Sequence, residues 1–153
     1  MAQRPLFNLA WAAFSRVNVS VPQVGRIIGG KVQTNIDSGI FTNACAIRMS
    51  YVLNQTGFPV SSRDGAVSSG AGGEKYLYRV RDLLPHLQKQ FGKPDQVVQN
   101  PTLTSFTGKQ GILVFDVDIW SDASGHATLW NGSTCSDHCY FPQSTRASFW
   151  ELK

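Results

Sequence analysis

The chain opens with apolar positions at helical spacing. Across residues 7–18, Trp11, Phe14 and Val17 recur every three residues, which places them on one face of a helix. The pattern predicts a short helix with that face toward a core. Asn8 is its expected cap, because a side-chain oxygen there can accept an orphan N–H. Residues 19–41 are rich in glycine and polar positions and hold a turn signal at Gly29-Gly30. They predict irregular chain wrapped around the domain. A second helix is predicted over 43–56, capped by Thr42 or Asn43 and stopped by Gly57 and Pro59. Residues 61–74 are Ser/Gly-rich and predict a mobile surface loop bordering a cleft. A third helix follows over about 80–91, with Val80, Leu83, Leu84, Leu87 and Phe91 on one face. Pro85 fits it only in the first turn or at a kink, and Gly92 and Pro94 end it.

In the last third the period falls to two. Residues 110–118 alternate around Ile112, Val114 and Val117. Residues 125–131 set His126, Thr128 and Trp130 on one face and Ala127 and Leu129 on the other. Residues 147–152 supply another strand. Helices first and strands later predict an α+β fold, with N-terminal helices packed on an antiparallel sheet. The length, 153 residues, predicts a single domain over 1–153.

Composition narrows the function classes. Hydrophobic residues make up 42% and charged residues 16%, which is globular rather than disordered. Fourteen Lys+Arg against ten Asp+Glu leave a net charge of +4, which favours anionic partners. No two basic residues are adjacent, so a nucleic-acid partner is not expected. No apolar run approaches the ~18 residues of a membrane span, and no membrane partner is expected. The N-terminus lacks the apolar core of a signal peptide. Neither a G-x-S-x-G elbow nor a phosphate-cradling P-loop is present, and no cofactor is expected.

Three positions can carry chemistry. Cys45 falls in the first turn of the second helix, where backbone N–H groups point outward and favour a thiolate. The bland alternative is a buried structural cysteine. His126 opens a strand directly after a glycine and suits a general base. His86 and His138 lack that placement. A helix-borne cysteine followed by a strand-borne histidine is the order a papain-like arrangement needs. Asp137, eleven residues beyond His126, is the natural carboxylate to orient the imidazole. Asp116, Asp118 and Asp122 compete for that role. Cys135 and Cys139 either close a five-residue disulfide loop or, with His138, hold zinc. The zinc reading needs Cys45 as the fourth ligand and would abolish the nucleophile, so no metal is expected.

Three motifs carry a resemblance. Asn43-Ala44-Cys45-Ala46-Ile47-Arg48-Met49-Ser50, Gly125-His126-Ala127-Thr128-Leu129-Trp130-Asn131-Gly132 and Cys135-Ser136-Asp137-His138-Cys139 resemble the fourth family of type VI secretion amidase effectors. The likeness runs from Arg4 to Leu152. It implies the papain-like fold shared with NlpC/P60 cell-wall peptidases, with Cys45 as nucleophile, His126 as base, Asp137 as third member and Cys135–Cys139 as a disulfide bond. It implies an antibacterial toxin delivered by type VI secretion machinery into the periplasm of a rival cell, which explains the missing signal peptide. The expected reaction is hydrolysis of the D-glutamyl–meso-diaminopimelate amide in peptidoglycan stem peptides. A cognate immunity protein is the expected partner. Such a substrate carries carboxylates, for which Arg48, Lys75 and Arg79 are the candidate binding residues. Two alternatives remain: a lipid hydrolase or acyltransferase using the same Cys–His pair, and a non-enzymatic binding domain with a structural Cys45.

Overall fold

A computed structural model of the chain describes residues 3–117 and 125–153. Among these residues the order is α1 (Phe7–Val17), α2 (Val21–Ile28), α3 (Gly30–Asp37), α4 (Cys45–Gln55), β1 (Val67–Ser69), β2 (Lys75–Leu77), α5 (Val80–Phe91), β3 (Gln96–Gln99), β4 (Gly111–Asp116), β5 (Gly125–Trp130) and β6 (Arg146–Glu151). The α+β expectation holds. No described helix is long and apolar enough to cross a membrane.

Local details differ from the expectations. Residues 19–41 are not irregular but form α2 and α3. Gln23 at the third helical position of α2 reaches back to the Ser20 N–H (3.3 Å), and Pro22 sits in the first turn, where its missing N–H costs nothing. Gly29 and Gly30, both at positive φ (71° and 61°), turn the chain from α2 into α3. Asn8 does not cap α1. The cap is Leu6, and Asn8 instead accepts the N–H of Leu9 at 2.9 Å. The cap of α4 is Ala44 rather than Thr42 or Asn43, although Asn43 Oδ1 accepts the Cys45 N–H (2.9 Å) from just outside the helix. Pro85 lies beyond the first turn of α5, inside the helix. The Ser/Gly-rich stretch is partly ordered, because β1 pairs with β2 as an antiparallel hairpin. Sequence reasoning missed β3 altogether.

The larger sheet has the order β3-β6-β4-β5, and every neighbouring pair is antiparallel. Its helical side joins Ile112, Val114, Ala127, Leu129 and Trp150 to Phe14, Ile47, Leu53, Leu83 and Leu87. Its other side joins Leu113, Phe115, Trp130 and Phe149 to Phe106 and Phe141 from the flanking loops. Burial on both faces explains why β4 reads as an almost continuous apolar run, and every residue of β5 is buried as well. The chain ends are tied together as well. Arg4 bonds the Asp95 carboxylate (2.6 Å) and the carbonyls of Phe91 (3.1 Å) and Glu151 (3.0 Å), while the Phe7 N–H donates to Lys153 O (2.8 Å).

Candidate active site

β5 lies at the edge of the sheet, and its outward backbone groups organise the site. Antiparallel pairing turns alternate residues of a strand toward the neighbour or away from it. The Ala127 N–H points away from β4 and donates to Cys45 Sγ at 2.8 Å, and Sγ lies 3.4 Å from Ala127 O. The first turn of α4 is thereby pinned to the strand that carries His126. Cys45 is 2% exposed and His126 is 7% exposed, so both work in a largely water-free setting.

The imidazole is held on both sides. His126 Nε2 lies 3.1 Å from Asp137 Oδ1 and 3.0 Å from Oδ2. The Cys45 side chain lies close enough to the ring to attract its charge. Burial by itself pushes the His126 pKa down. Attraction to Cys45 and the hydrogen bonds to Asp137 and Cys45 outweigh it and raise the value to about 10. Burial also works against the Asp137 carboxylate. The His126 contact and the Thr128 hydroxyl (2.6 Å to Oδ1) nevertheless hold it below the usual carboxylate range. The Tyr140 ring stands edge-on to His126, with centroids 4.7 Å apart. Burial and the negative charge of Asp137 raise the Tyr140 pKa.

The segment bearing Asp137 is fastened to the same edge. Cys135 and Cys139 form a disulfide with Cα atoms 5.5 Å apart, so two of the four ligands of the zinc alternative are already used. Ser136 N–H donates to Leu129 O (2.8 Å), and the Leu129 N–H donates to Ser136 Oγ (3.2 Å). Asn18, where α1 ends, donates to Ser136 O at 2.9 Å. A short loop with this many ties holds a carboxylate in one place.

Of the competing carboxylates, Asp116 pairs with Arg146 at 2.8 Å across β4 and β6. Asp118 and Asp122 lie outside the described residues. His86 is buried in α5 with Nδ1 3.4 Å from Asp64 Oδ1, away from the cleft. His138 lies on the cleft rim. The cleft, about 250 Å³, is lined by Asn43, Ala44, Arg48, His126, Asp137 and Tyr140 among others. Arg48 reaches it, but its guanidinium bonds the carbonyls of Val17 (3.0 Å) and Val19 (2.8 Å), which braces α1 against α4. Arg79 pairs with Asp82 at 2.6 Å and does not line the cleft. Lys75 lines a neighbouring one. Thr128, Tyr140 and Asn43 were not expected in the site, Asn43 being read only as a helix cap. Thr128 alone had a signal, because it shares a strand face with His126.

The arrangement suits nucleophilic attack by sulfur with proton transfer through one imidazole. Known proteins agree on its class. A family model described as type VI secretion system amidase effector protein 4 (Tae4) matches residues 41–150. The effector–immunity complex Tae4–Tai4 of Enterobacter cloacae contains a chain 51% identical to this one, covering 99% of this chain and all of that one, with a TM-score of 0.96. The effector Tae4 of the same organism, without its partner, is also 51% identical over 99% of both chains (TM-score 0.95). In the Tae4–Tai4 complex of Salmonella Typhimurium the identity is 50%, over 99% of this chain and all of that one, with a TM-score of 0.94. No curated protein matches the chain.

Proposed function

The chain belongs to the type VI secretion amidase effector 4 family, and from that premise we propose that it cuts the D-glutamyl–meso-diaminopimelate amide of peptidoglycan stem peptides with Cys45, His126 and Asp137. It is an antibacterial amidase effector, which sets aside the lipid-directed and non-enzymatic alternatives. The observation that carries the mechanism is the imidazole of His126, bonded to Asp137, on the strand whose next residue holds Cys45 Sγ.

In this mechanism Cys45 Sγ adds to the scissile carbonyl carbon, and the carbonyl electron pair moves onto oxygen. The Cys45 N–H is taken by Asn43 Oδ1, so the next backbone N–H groups of the first turn of α4 are the donors left for that oxyanion. The C–N bond then breaks as His126 gives its proton to the departing amine, leaving a thioester on Cys45. Water, deprotonated by His126, adds to the thioester. The thiolate leaves and the acid product is freed. Asp137 keeps the ring oriented and stabilises its charge throughout. The enzyme acts in the periplasm of the target cell, where the Cys135–Cys139 disulfide persists. An immunity protein of the kind bound by the Enterobacter and Salmonella relatives is its inhibitor in kin.

Muropeptide analysis of Gram-negative sacculi tests the proposal. The wild type is expected to release products cut between D-glutamate and diaminopimelate. Cys45→Ala is expected to release none. Sacculi left intact by folded, oxidised wild type, or cutting that persists in Cys45→Ala, overturn it.

A further inference from the structure

A second cleft, about 330 Å³, lies on the far side of the segment that leads into α4. Its walls are α3, which carries Lys31 and Asn35, and the β1–β2 hairpin, which carries Ser68 and Lys75. The walls are fixed to one another. Asn35 Nδ2 donates to Ser68 Oγ (3.3 Å), and the Ala71 N–H donates to Ile28 O (3.0 Å). Phe41 and Tyr78 also line it, and their rings stack with centroids 4.5 Å apart. Lys31 and Lys75 form no ion pair among the described residues. The neighbouring acid, Glu74, is turned back against Gly72. The cleft therefore presents two uncompensated ammonium groups beside an aromatic wall.

The two clefts meet along one strip of chain. Ile40 and Phe41 line the second, and Thr42, Asn43 and Ala44 line the first. Four Cα steps span at most about 15 Å. An extended peptide of four residues covers about the same length. A stem peptide whose scissile amide lies at Cys45 reaches the second cleft within about four residue lengths of extended chain.

We infer that this second cleft is a carboxylate subsite, in which Lys31 and Lys75 bind an acidic group of the peptide being cut. The inference rests on the amidase reading and adds a specificity site to it. Three carboxylates meet the chemistry: the one that D-glutamate keeps free beside the scissile amide, the one at the C-terminus of the stem and the one on the side centre of diaminopimelate. An ammonium pair favours each over its neutral carboxamide.

The test uses the full chain with soluble disaccharide-tetrapeptides. One substrate has all three carboxylates free, and three others each carry one as the carboxamide. Lys31→Ala/Lys75→Ala is expected to raise KM for the acidic substrate about ten-fold with little change in kcat, the signature of lost binding. Lys31→Glu/Lys75→Glu is expected to raise it further. Alkylation of Cys45 by neutral iodoacetamide stays at the wild-type rate in both. The carboxamide that makes wild type and variants alike identifies which carboxylate binds. The inference is overturned if the charge-reversed variant keeps the wild-type KM, if it loses kcat alone, or if its defect is the same on all four substrates. Failure of wild type to cut any substrate counts against the amidase reading instead.

Discussion

His126 sits between a sulfur and a carboxylate, so its proton reports on both. Its folded pKa of about 10 lies above the ordinary 6.5. A raised pKa of this kind contributes stability that is full below the unfolded value of ~6.5 and is lost as pH rises toward ~10. In an NMR titration the His126 ring is expected to stay protonated through neutrality. In Cys45→Ala its midpoint is expected to fall, because the attraction to Cys45 is gone while burial remains. A midpoint unchanged by that substitution would show that Asp137 alone holds the proton. At this scale most of the site was legible. Cys45, His126 and Asp137 each stood beside a local signal: a helix start, a Gly before a strand, a tight cysteine pair. Tyr140 had none. It follows the disulfide in a loop, and only the tertiary fold brings its ring against His126.

Among the elements, α2 and α3 show where periodicity reasoning fails. Gly25, Gly29 and Gly30 dilute the apolar pattern, yet each has a packing reason. Gly25 lies where an added Cβ would meet Ile36 of α3 at 3.3 Å, so the two helices approach closely there. Gly30 faces the Gly70 backbone at the hairpin turn with no room for a side chain. The signals for α2 were present in Ser20, Pro22 and Gln23, but they mark a helix start rather than a repeat. β3 was invisible for another reason. It is a polar edge strand, with Val97 half exposed (49%), and is defined by its partner β6. Gly30→Ala combines a positive φ with a backbone clash and is expected to destabilise the protein by about 1–3 kcal/mol. Urea unfolding measures it. A loss under about 0.5 kcal/mol would mean that the elbow relaxes freely.

Across the whole molecule, α+β architecture was readable because helices and strands segregate along the chain. The sheet order was not, since β6 inserts between β3 and β4. The N-terminal segment closes this arrangement. Arg4 holds the start of the chain against Phe91 at the end of α5, Asp95 before β3 and Glu151 at the end of β6. Asp95 also accepts the Glu151 N–H (2.8 Å), and the Arg4 contact keeps its carboxyl below the usual range. Arg4→Ala is expected to cost about 1–2 kcal/mol, moderated by the partial exposure of the pair. Thermal melting at neutral pH checks it, and an unchanged Tm would assign the closure to the Phe7–Lys153 bond instead.

The edge position of β5 has one more consequence. An unpaired strand edge is a template for joining another chain, and proteins usually blunt it with charge, proline or a covering segment. Here the cover over Ala127 is the sulfur of Cys45, and the cover over Leu129 is Ser136 inside the disulfide loop. The same atoms that hold the reacting groups together also keep the strand from being extended. Substitutions that silence the site at Cys45, or that open the Cys135–Cys139 loop, therefore take partners from backbone donors and acceptors on that edge. For this chain, disarming the site and leaving the strand edge without partners are one event.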